Sequence, residues 1–222
     1  MERADFDRLA EVFMGSWGFR ALVFHGSRVY GDALPESDID VFAVADTVQE
    51  ATSTRRPVVV AGAKVLLDIK TTSPRGAIAS HVRSPDWRIA FFCGLQYGDW
   101  SFLPIQEPLS AQAAKAYLDD VLFELSLSRW LQSTHDMVGV LRSLLTLESA
   151  LQGAAATPAS WGWVADTLGI SQEAMVALRR GDADVENRLN VLGAVKRKAD
   201  LVQGLVSMYG SRQPSHVKDG VL

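Results

Sequence analysis

The sequence predicts an α+β protein in which a sheet-containing domain, residues 1–108, precedes an all-α helical bundle domain, residues 109–222. Short apolar runs typical of buried strands are confined to the first hundred residues, beginning with Ala-Leu-Val-Phe at residues 21–24. Farther along the chain, apolar residues recur at helical spacing instead. Pro104 and Pro108 bracket a segment without periodicity between these two parts, so we expect the boundary there.

The elements of the first domain follow from local signals. Apolar residues at helical spacing predict the first helix, and a serine followed by proline predicts the start of a second. A tight glycine-containing turn predicts that two consecutive strands form a hairpin. In chain order we expect a helix at 5–17, strands at 21–24, 38–44, 57–64 and 65–70, a helix from Ser84 to Gly94 and a short strand at 95–99.

The second domain is predicted to be helical throughout. We expect helices from Ser110 towards Trp130, over 135–152, from Thr157 to Gly169, from Ser171, and over 182–209. Five apolar side chains of the last helix are spaced for burial, namely Val185, Leu189, Leu192, Val195 and Leu201. The tryptophans of this domain are expected mainly in its core.

Composition and charge narrow the function classes. Apolar residues make up 48% of the 222 residues, which is ordinary for a globular protein. The net charge of −4 argues against a polymerase, a tRNA-tailing enzyme or another nucleic-acid binder. The single cysteine, Cys93, excludes an intramolecular disulfide. The first residues lack the apolar segment of a secretory signal, and no apolar run has the length of a membrane span. We therefore expect a cytoplasmic protein without a membrane partner.

The stretch from Phe24 to Val44 contains the residues on which a functional interpretation rests. Asp38 and Asp40 share one face of the predicted strand, because successive side chains of a strand point to opposite faces. Two neighbouring carboxylates repel each other, so this pair is unfavourable in a purely structural strand. A divalent cation removes the repulsion, and Mg²⁺ prefers one or two carboxylates together with substrate phosphates. The pair therefore predicts a magnesium site.

The turn at Gly26 and Ser27 suits the phosphates of a nucleotide. Glycine allows the backbone to approach a ligand closely, and the Ser27 hydroxyl with nearby N–H groups is suited to hold phosphate oxygens. Arg28 either offers its planar guanidinium to the same phosphates or is a solvated surface charge. The alternative structural roles are a turn glycine at Gly26 and a helix N-cap at Ser27.

Gly-Ser, a ten-residue gap and Asp-x-Asp in an apolar strand resemble the signature of the DNA polymerase β-like nucleotidyltransferase superfamily. Residues 26–31, Gly-Ser-Arg-Val-Tyr-Gly, and 37–40, Ser-Asp-Ile-Asp, are most similar to its small members, the antibiotic (aminoglycoside-type) and minimal nucleotidyltransferases. The resemblance implies a small mixed sheet flanked by helices. It also implies a third acidic residue on a neighbouring strand, which Asp68 matches, and a nucleotide-binding set that consists of Gly26, Ser27, Arg28 and Ser37.

The same resemblance implies a magnesium-dependent transferase. Asp38, Asp40 and Asp68 would hold two Mg²⁺ ions, and a nucleoside monophosphate, expected to be AMP from ATP, would move to a hydroxyl of a small-molecule acceptor such as an aminoglycoside-type antibiotic, with release of pyrophosphate. The helical domain would close over the site and line the acceptor pocket. Homodimers occur among such relatives. Asp68 is one candidate for the general base, and Glu124, Asp136 and Glu148 are others.

A second interpretation belongs to a different function class. Minimal nucleotidyltransferases also serve as antitoxins that bind or nucleotidylate a HEPN-type toxin. Arg129 and His135 resemble the Arg-x₄₋₆-His motif of HEPN ribonucleases, although an Arg and a His at this spacing are common by chance. The long helical region favours the small-molecule transferase, because a stand-alone antitoxin needs no such domain.

Overall fold

The structure, a computed structural model, describes residues 1–131, 133–152, 160–180, 182 and 184–212. In this part of the chain the strands are β1 (Ala21–His25), β2 (Ile39–Val44), β3 (Thr52–Val60), β4 (Ala63–Thr72) and β5 (Leu95–Gly98). The helices are α1 (Arg3–Trp17), α2 (Ser27–Tyr30), α3 (Pro74–Arg83), α4 (Pro85–Cys93), α5 (Ala111–Leu131), α6 (Thr134–Gln152), α7 (Trp161–Leu168), α8 (Gln172–Arg180) and α9 (Val185–Arg212). A mixed sheet with flanking helices followed by a helical region confirms the predicted α+β class.

The five strands form one sheet in the order β3-β4-β2-β1-β5. Only β2 and β4 run parallel to each other, and the remaining neighbours are antiparallel. The parallel pair is possible because β3 enters between β2 and β4 in sequence and pairs at the outer edge of the sheet. Because β2 is central, its residues, including Asp40, have partners on both β1 and β4.

The two faces of the sheet are covered by different helices. Alternating apolar residues of β1, β2 and β4 pack against Phe6, Ala10 and Phe13 of α1, and this forms one buried cluster. The opposite face carries α3 and α4, whose Ala77, Trp87 and Phe91 form a second cluster with residues of β1 and β2. Proline at the first position and a serine N-cap begin both α3 and α4, as the Ser84–Pro85 signal predicts for the latter.

The helical region packs around α6. Its buried side chains meet α5, α8 and α9, and they form a large apolar cluster that also includes Ile89 of α4. Helix α4 therefore contacts the sheet with one side and the helical region with the other. The intervening segment is fixed to α4, since the guanidinium of Arg88 donates to the Glu107 carbonyl over 2.7 Å. The proposed domain boundary at residue 108 thus falls in a segment with defined contacts.

Three sequence expectations are wrong, one about the presence of a helix, one about where a strand begins and one about which residues of α9 are buried. Helix α3 was not expected, and the strand predicted to begin at residue 57 begins at Thr52, because the polar residues before it form an exposed edge strand. In α9, Val185, Leu189 and Leu201 are 72%, 65% and 47% exposed. Val195 is buried as predicted, and Leu192 packs against the core. The rest of the buried side carries small residues at other positions, including Val191, Ala194, Ala199 and Val202. None of the helices among the described residues has the length and apolar character that crossing a membrane requires.

Candidate metal and nucleotide site

The sheet brings the three predicted acidic residues together. Asp40 in β2 lies directly opposite Asp68 in the parallel strand β4, and Asp38 stands two residues before Asp40, at the entry to β2. One carboxylate oxygen from each residue lies within 4.8 Å of the others. Hard divalent cations are bound by oxygen ligands at close range, so this cluster fits such an ion. Alternation along the strand predicts that Asp38 and Asp40 share one face, and the register between β2 and β4 brings Asp68 beside them.

Gly26 allows the nucleotide turn to lie against this cluster. The residue follows β1, where His25 is paired with Asp40, and its backbone has φ +79. A Cβ atom at this position would lie 2.1 Å from Oδ2 of Asp40, far inside van der Waals contact. A glycine is therefore required both for the left-handed backbone and for the space that the Asp40 carboxylate occupies.

The remaining members of the predicted nucleotide-binding set lie in or beside the turn. Ser27 begins α2, and its carbonyl accepts from the N–H of Gly31. Arg28 donates from Nε to the Ser37 carbonyl over 2.7 Å and from Nη2 to the Pro35 carbonyl over 3.1 Å. The Ser37 hydroxyl accepts from the Leu34 N–H. Arg28 and Ser37 thus brace the loop between α2 and β2, and their contact with phosphate stays a prediction.

Residues 9–74 match the sequence model of a family described as the nucleotidyltransferase domain. The chain carries a nucleotidyltransferase domain of the polymerase β-like superfamily. It is therefore an enzyme of the nucleotidyltransferase type, and the matched segment includes the turn at Gly26 and all three acidic residues. No curated protein matches the chain. The aminoglycoside-type subfamily stays a prediction.

Four strands of the nucleotidyltransferase domain contribute one residue each to a continuous row across the sheet. In sheet order these are Arg55 of β3, Asp68 of β4, Asp40 of β2 and His25 of β1, each paired in register with the next. Asp38 lies beside this row. The row brings two carboxylates together at its centre, with a cation at one end and an imidazole at the other.

Burial and neighbouring charges shift the pKa values of Asp40 and His25 in this row. Burial, followed by the charges of Asp38 and Asp68, raises the pKa of Asp40 to about 6. Burial, with Lys70 and Arg142 nearby, lowers the pKa of His25 to about 3, so its ring is neutral at pH 7. The ionised form of Asp40 is repelled by Asp38 and Asp68. A divalent cation reverses the sign of the local potential and would therefore stabilise this ionised form.

Arg55, on the edge strand β3, offsets the negative charge of the carboxylates, a role that the sequence analysis did not predict. Its Nε and Nη2 donate to Oδ2 of Asp68 over 3.1 and 3.0 Å, and Nη2 lies 3.8 Å from Oδ2 of Asp38. Asp68 is buried, whereas the Arg55 side chain is 64% exposed. The guanidinium therefore shares two of the carboxylates that would bind an ion.

We expect Arg55→Gln to increase the stabilisation that Mg²⁺ gives the protein. Without the guanidinium, the carboxylates repel one another more strongly in the metal-free protein, and a cation has no competitor for Asp68. Thermal unfolding measures both effects. In EDTA, the melting temperature of Arg55→Gln should be a few degrees below that of the wild type, and adding Mg²⁺ should raise it by more than it raises the melting temperature of the wild type. Arg56→Gln is the matched control, because Arg56 stacks over Trp17 on the other sheet face. An equal rise in both variants would contradict this role of Arg55.

A cavity of about 700 Å³ opens beside Asp40, between the nucleotidyltransferase domain and the helical region. The sheet side contributes His25, Asp40, Phe42 and Lys70, and the helix side contributes residues of α4, α5, α6 and α7. The helix side is rich in charge, with Asp86, Glu124, Asp136 and Arg142 along its lining. This volume is within the range of small-molecule sites.

The structure separates the three candidate bases of the helical region. Glu124 and Asp136 line the cavity. Glu148 instead accepts from Lys198 over 2.9 Å, in an ion pair that is largely buried, and it is not among the cavity residues. The side chains of Arg129 and His135 lie outside the described residues, so the HEPN-like motif stays a prediction.

Asp86 is an acidic cavity residue that sequence reasoning missed. It stands in the first turn of α4, where an acidic residue is readily explained by the helix dipole. Its Oδ1 accepts from the Tyr117 hydroxyl over 3.0 Å, which links α4 to α5. Asp86 is exposed to the cavity, yet the protein around it raises its pKa through burial. The sequence contains no signal that would pair residues so distant along the chain.

The loop that follows the nucleotide turn is attached to the helical region. Asp32 caps α7, because its Oδ2 accepts from the N–H groups of Trp161 and Gly162. Arg179 of α8 donates to the Asp32 carbonyl over 3.2 Å. The other oxygen of Asp32, Oδ1, is buried and has no hydrogen-bond partner among the residues that the structure describes. These contacts fix the position of α7 relative to the loop next to Asp38, Asp40 and Asp68. This group of three carboxylates is called the metal cluster below, after the ions that it is predicted to bind.

Proposed function

We propose that the chain transfers a nucleoside monophosphate from a magnesium-bound nucleoside triphosphate, expected to be ATP, to a hydroxyl group of a small molecule, with release of pyrophosphate. The observation that carries the proposal is the cluster of Asp38, Asp40 and Asp68, whose oxygens lie within 4.8 Å of one another in a nucleotidyltransferase domain. Two divalent ions at such a cluster would lower the pKa of the attacking hydroxyl and neutralise the leaving group.

The residues of the chain would divide the work as follows. Asp38 and Asp40 would hold both ions, and Asp68 would hold the ion on the acceptor side. The backbone at Gly26 and the hydroxyl of Ser27 would bind the β- and γ-phosphates, since the absence of a side chain at Gly26 leaves the turn against the Asp40 carboxylate. Arg28 and Ser37 would keep the adjoining loop in place through the hydrogen bonds that they make there.

The cavity suits an acceptor that carries positive charge and hydroxyl groups. Asp86, Glu124 and Asp136 line it together with Ile89 and Leu127. Carboxylates would pair with ammonium groups, and the apolar residues would contact the rings of an amino sugar. An aminoglycoside-type antibiotic has this chemistry, and it is the acceptor class that we propose. Homodimerisation and a cytoplasmic location stay predictions.

Asp86 is the general base that we propose for the acceptor hydroxyl. Its carboxylate lines the cavity, and the hydrogen bond from Tyr117 fixes its orientation. The protein around it raises its pKa through burial, which makes it a stronger base than an aspartate with the ordinary pKa. Tyr117 itself has a pKa raised by burial, so its hydroxyl stays protonated and continues to donate.

We expect Asp86→Asn to lower kcat of transfer by about 10²-fold or more, the range for loss of a general base. The rate of the wild-type enzyme, measured in saturating Mg²⁺ so that Asp40 stays ionised, should fall at acidic pH as Asp86 is protonated, and this limb should be absent from the residual activity of the variant. Tyr117→Phe removes a hydrogen bond to the carboxylate and should move the limb to higher pH.

Asp200→Asn is the control for these pH profiles, since Asp200 is an exposed residue of α9 with the same change of charge. It should retain the wild-type rate and profile. An Asp86→Asn enzyme with an unchanged acidic limb would assign the base to another carboxylate, with Glu124 and Asp136 as the next variants.

The function is tested by incubating the chain with Mg²⁺ and each of the four labelled nucleoside triphosphates in the presence of aminoglycosides, lincosamides or co-purified proteins. We expect a labelled nucleoside monophosphate on an amino sugar, with one pyrophosphate released for each transfer. Labelling of a co-purified protein instead would favour the antitoxin alternative. Release of inorganic phosphate without pyrophosphate would contradict nucleotidyl transfer.

A further inference from the structure

Arg142 lines the same cavity as Asp40 of the metal cluster. It belongs to α6 in the helical region, whereas Asp40 belongs to β2. The charge of Arg142 reaches groups on several elements, because it partly offsets the burial that raises the pKa of Asp40 and of Asp86, and it adds to the burial that lowers the pKa of His25. The guanidinium therefore lies within electrostatic range of both the metal cluster and the acceptor side.

The guanidinium of Arg142 is held in position by Trp161. Its Cζ lies 4.8 Å from the centre of the Trp161 ring, in a cation–π contact. Trp161 is the first residue of α7, and its N–H donates to the Asp32 carboxylate in the loop next to the nucleotide turn. Through Trp161 and Asp32, the position of Arg142 is therefore tied to the nucleotidyltransferase domain.

A second guanidinium contacts the same ring. Cζ of Arg179 lies 4.7 Å from the centre of Trp161, and the positive charge of Arg142 contributes to lowering the pKa of Arg179, after the larger effect of burial. Lys70, from the sheet side, adds a further positive charge to the cavity lining. Each side of the cavity thus contributes a cation among its carboxylates, and an anion between Lys70 and Arg142 would be stabilised from both sides.

Nucleotidyl transfer supplies such an anion. The acceptor oxygen attacks the α-phosphorus, a P–O bond forms, and the bond from the α-phosphorus to the bridging oxygen of pyrophosphate breaks. The hydroxyl proton passes to a carboxylate of the cavity, and the electron pair of the broken bond leaves with pyrophosphate. Charge is spread over the α-phosphate oxygens during this step, and donors that are fixed in advance stabilise it.

We propose that Arg142 is a further catalytic residue that donates to a non-bridging oxygen of the α-phosphate in the transition state. The inference rests on the proposed function and adds a role for the helical region in the chemical step. Trp161 is a positioning residue for the guanidinium. Because Arg142 and the metal cluster lie on separate parts of the chain, efficient transfer requires that both walls of the cavity be in place.

The test compares Arg142→Gln and Arg142→Lys with Arg197→Gln, a control at an exposed position of α9 that makes the same change of charge. Pyrophosphate release is measured with water as the acceptor as well as with an amino sugar, so that the readout does not depend on the acceptor. We expect kcat to fall by about 10²-fold or more in Arg142→Gln, the range for loss of one fixed transition-state donor. Arg142→Lys should be intermediate, and Arg197→Gln should match the wild type.

Binding measurements separate a catalytic role from a structural one. The affinities for Mn²⁺ and for α,β-methylene-ATP should change less than kcat in Arg142→Gln, because the contact is strongest in the transition state. The ³¹P resonance of the bound α-phosphorus should shift in this variant and not in Arg197→Gln. A wild-type kcat in Arg142→Gln would overturn the proposal, whereas a wild-type enzyme that releases no pyrophosphate would overturn the proposed function itself.

Discussion

Asp40→Asn is expected to reduce nucleotidyl transfer by about 10³-fold or more, because metal ions supply several kcal/mol of transition-state stabilisation and each 1.4 kcal/mol is a factor of about ten. Asp40 is at the centre of the row that runs across β3, β4, β2 and β1, and an amide in its place leaves the metal cluster with two carboxylates. The measurement is the steady-state rate of pyrophosphate release with Mg²⁺ and ATP.

The same variant should be more stable than the wild type when no metal is present. Burial and the neighbouring Asp38 and Asp68 raise the pKa of Asp40 to about 6, so the folded state favours its protonated form. Ionisation therefore destabilises the fold progressively as the pH rises from about 4 to about 6, and the full effect is present above the folded-state pKa. At pH 7.5 in EDTA we expect Asp40→Asn to be about 1–2 kcal/mol more stable, a value reduced for partial solvent exposure.

The pH dependence provides the control for this effect. Near pH 4 the carboxyl is protonated in the folded wild type, so the stabilities of the two proteins should converge. Added Mg²⁺ should stabilise the wild type and leave Asp40→Asn almost unchanged. A variant that is less stable than the wild type at pH 7.5 in EDTA would show that Asp40 is not under electrostatic stress.

Gly26→Ala is expected to remove metal-dependent activity and to destabilise the fold. The backbone at Gly26 has φ +79, where an L-residue is strained by on the order of 1–3 kcal/mol. Beyond this strain, the new Cβ would lie 2.1 Å from Oδ2 of Asp40, so the carboxylate must move away from its position in the metal cluster. Unfolding in denaturant and Mn²⁺ titration measure the two consequences separately.

Gly31→Ala is a matched control for Gly26→Ala. Its backbone has a similar φ of +84, but a Cβ at Gly31 would have no neighbour within 4 Å in the described part of the chain. The control should therefore lose stability through backbone strain and retain the Mn²⁺ affinity of the wild type. Equal Mn²⁺ affinities in the two alanine variants would show that Gly26 serves only the turn and not the metal cluster.

The proximity of Asp38 and Asp40 could be predicted from the sequence because the information is local. Asp38 and Asp40 lie within one strand, so alternation alone assigns them to one face, and the spacing from Gly26 identifies the turn that precedes it. Asp68 required the resemblance to a known family, since β3 and β4 form a hairpin whose place in the sheet is set by long-range pairing. The register places Asp68 opposite Asp40, as the resemblance implied, and its role as a metal ligand stays a prediction.

The remaining site residues depend on contacts that no local pattern encodes. Arg55 lies in an exposed polar edge strand whose first residues have no apolar alternation, and its role follows from the register with Asp68. Asp86 and Arg142 are 46 and 102 residues from Asp40 in the sequence. They meet in the cavity only because α4 packs against both the sheet and α6. Helix α9 illustrates the same limit, since small side chains form most of its buried face while the expected Leu189 and Leu201 are exposed.

We propose that Asp38, Asp40 and Asp68 bind divalent cations through which the nucleoside triphosphate is held. The most direct test of this metal site is a Mn²⁺ titration of the full chain, followed by electron paramagnetic resonance, with and without α,β-methylene-ATP. We expect about two bound ions per chain in the presence of the nucleotide, fewer or more weakly bound ions without it, and loss of both in Asp40→Asn. Unchanged number and affinity of bound ions in Asp40→Asn would contradict the proposed metal site.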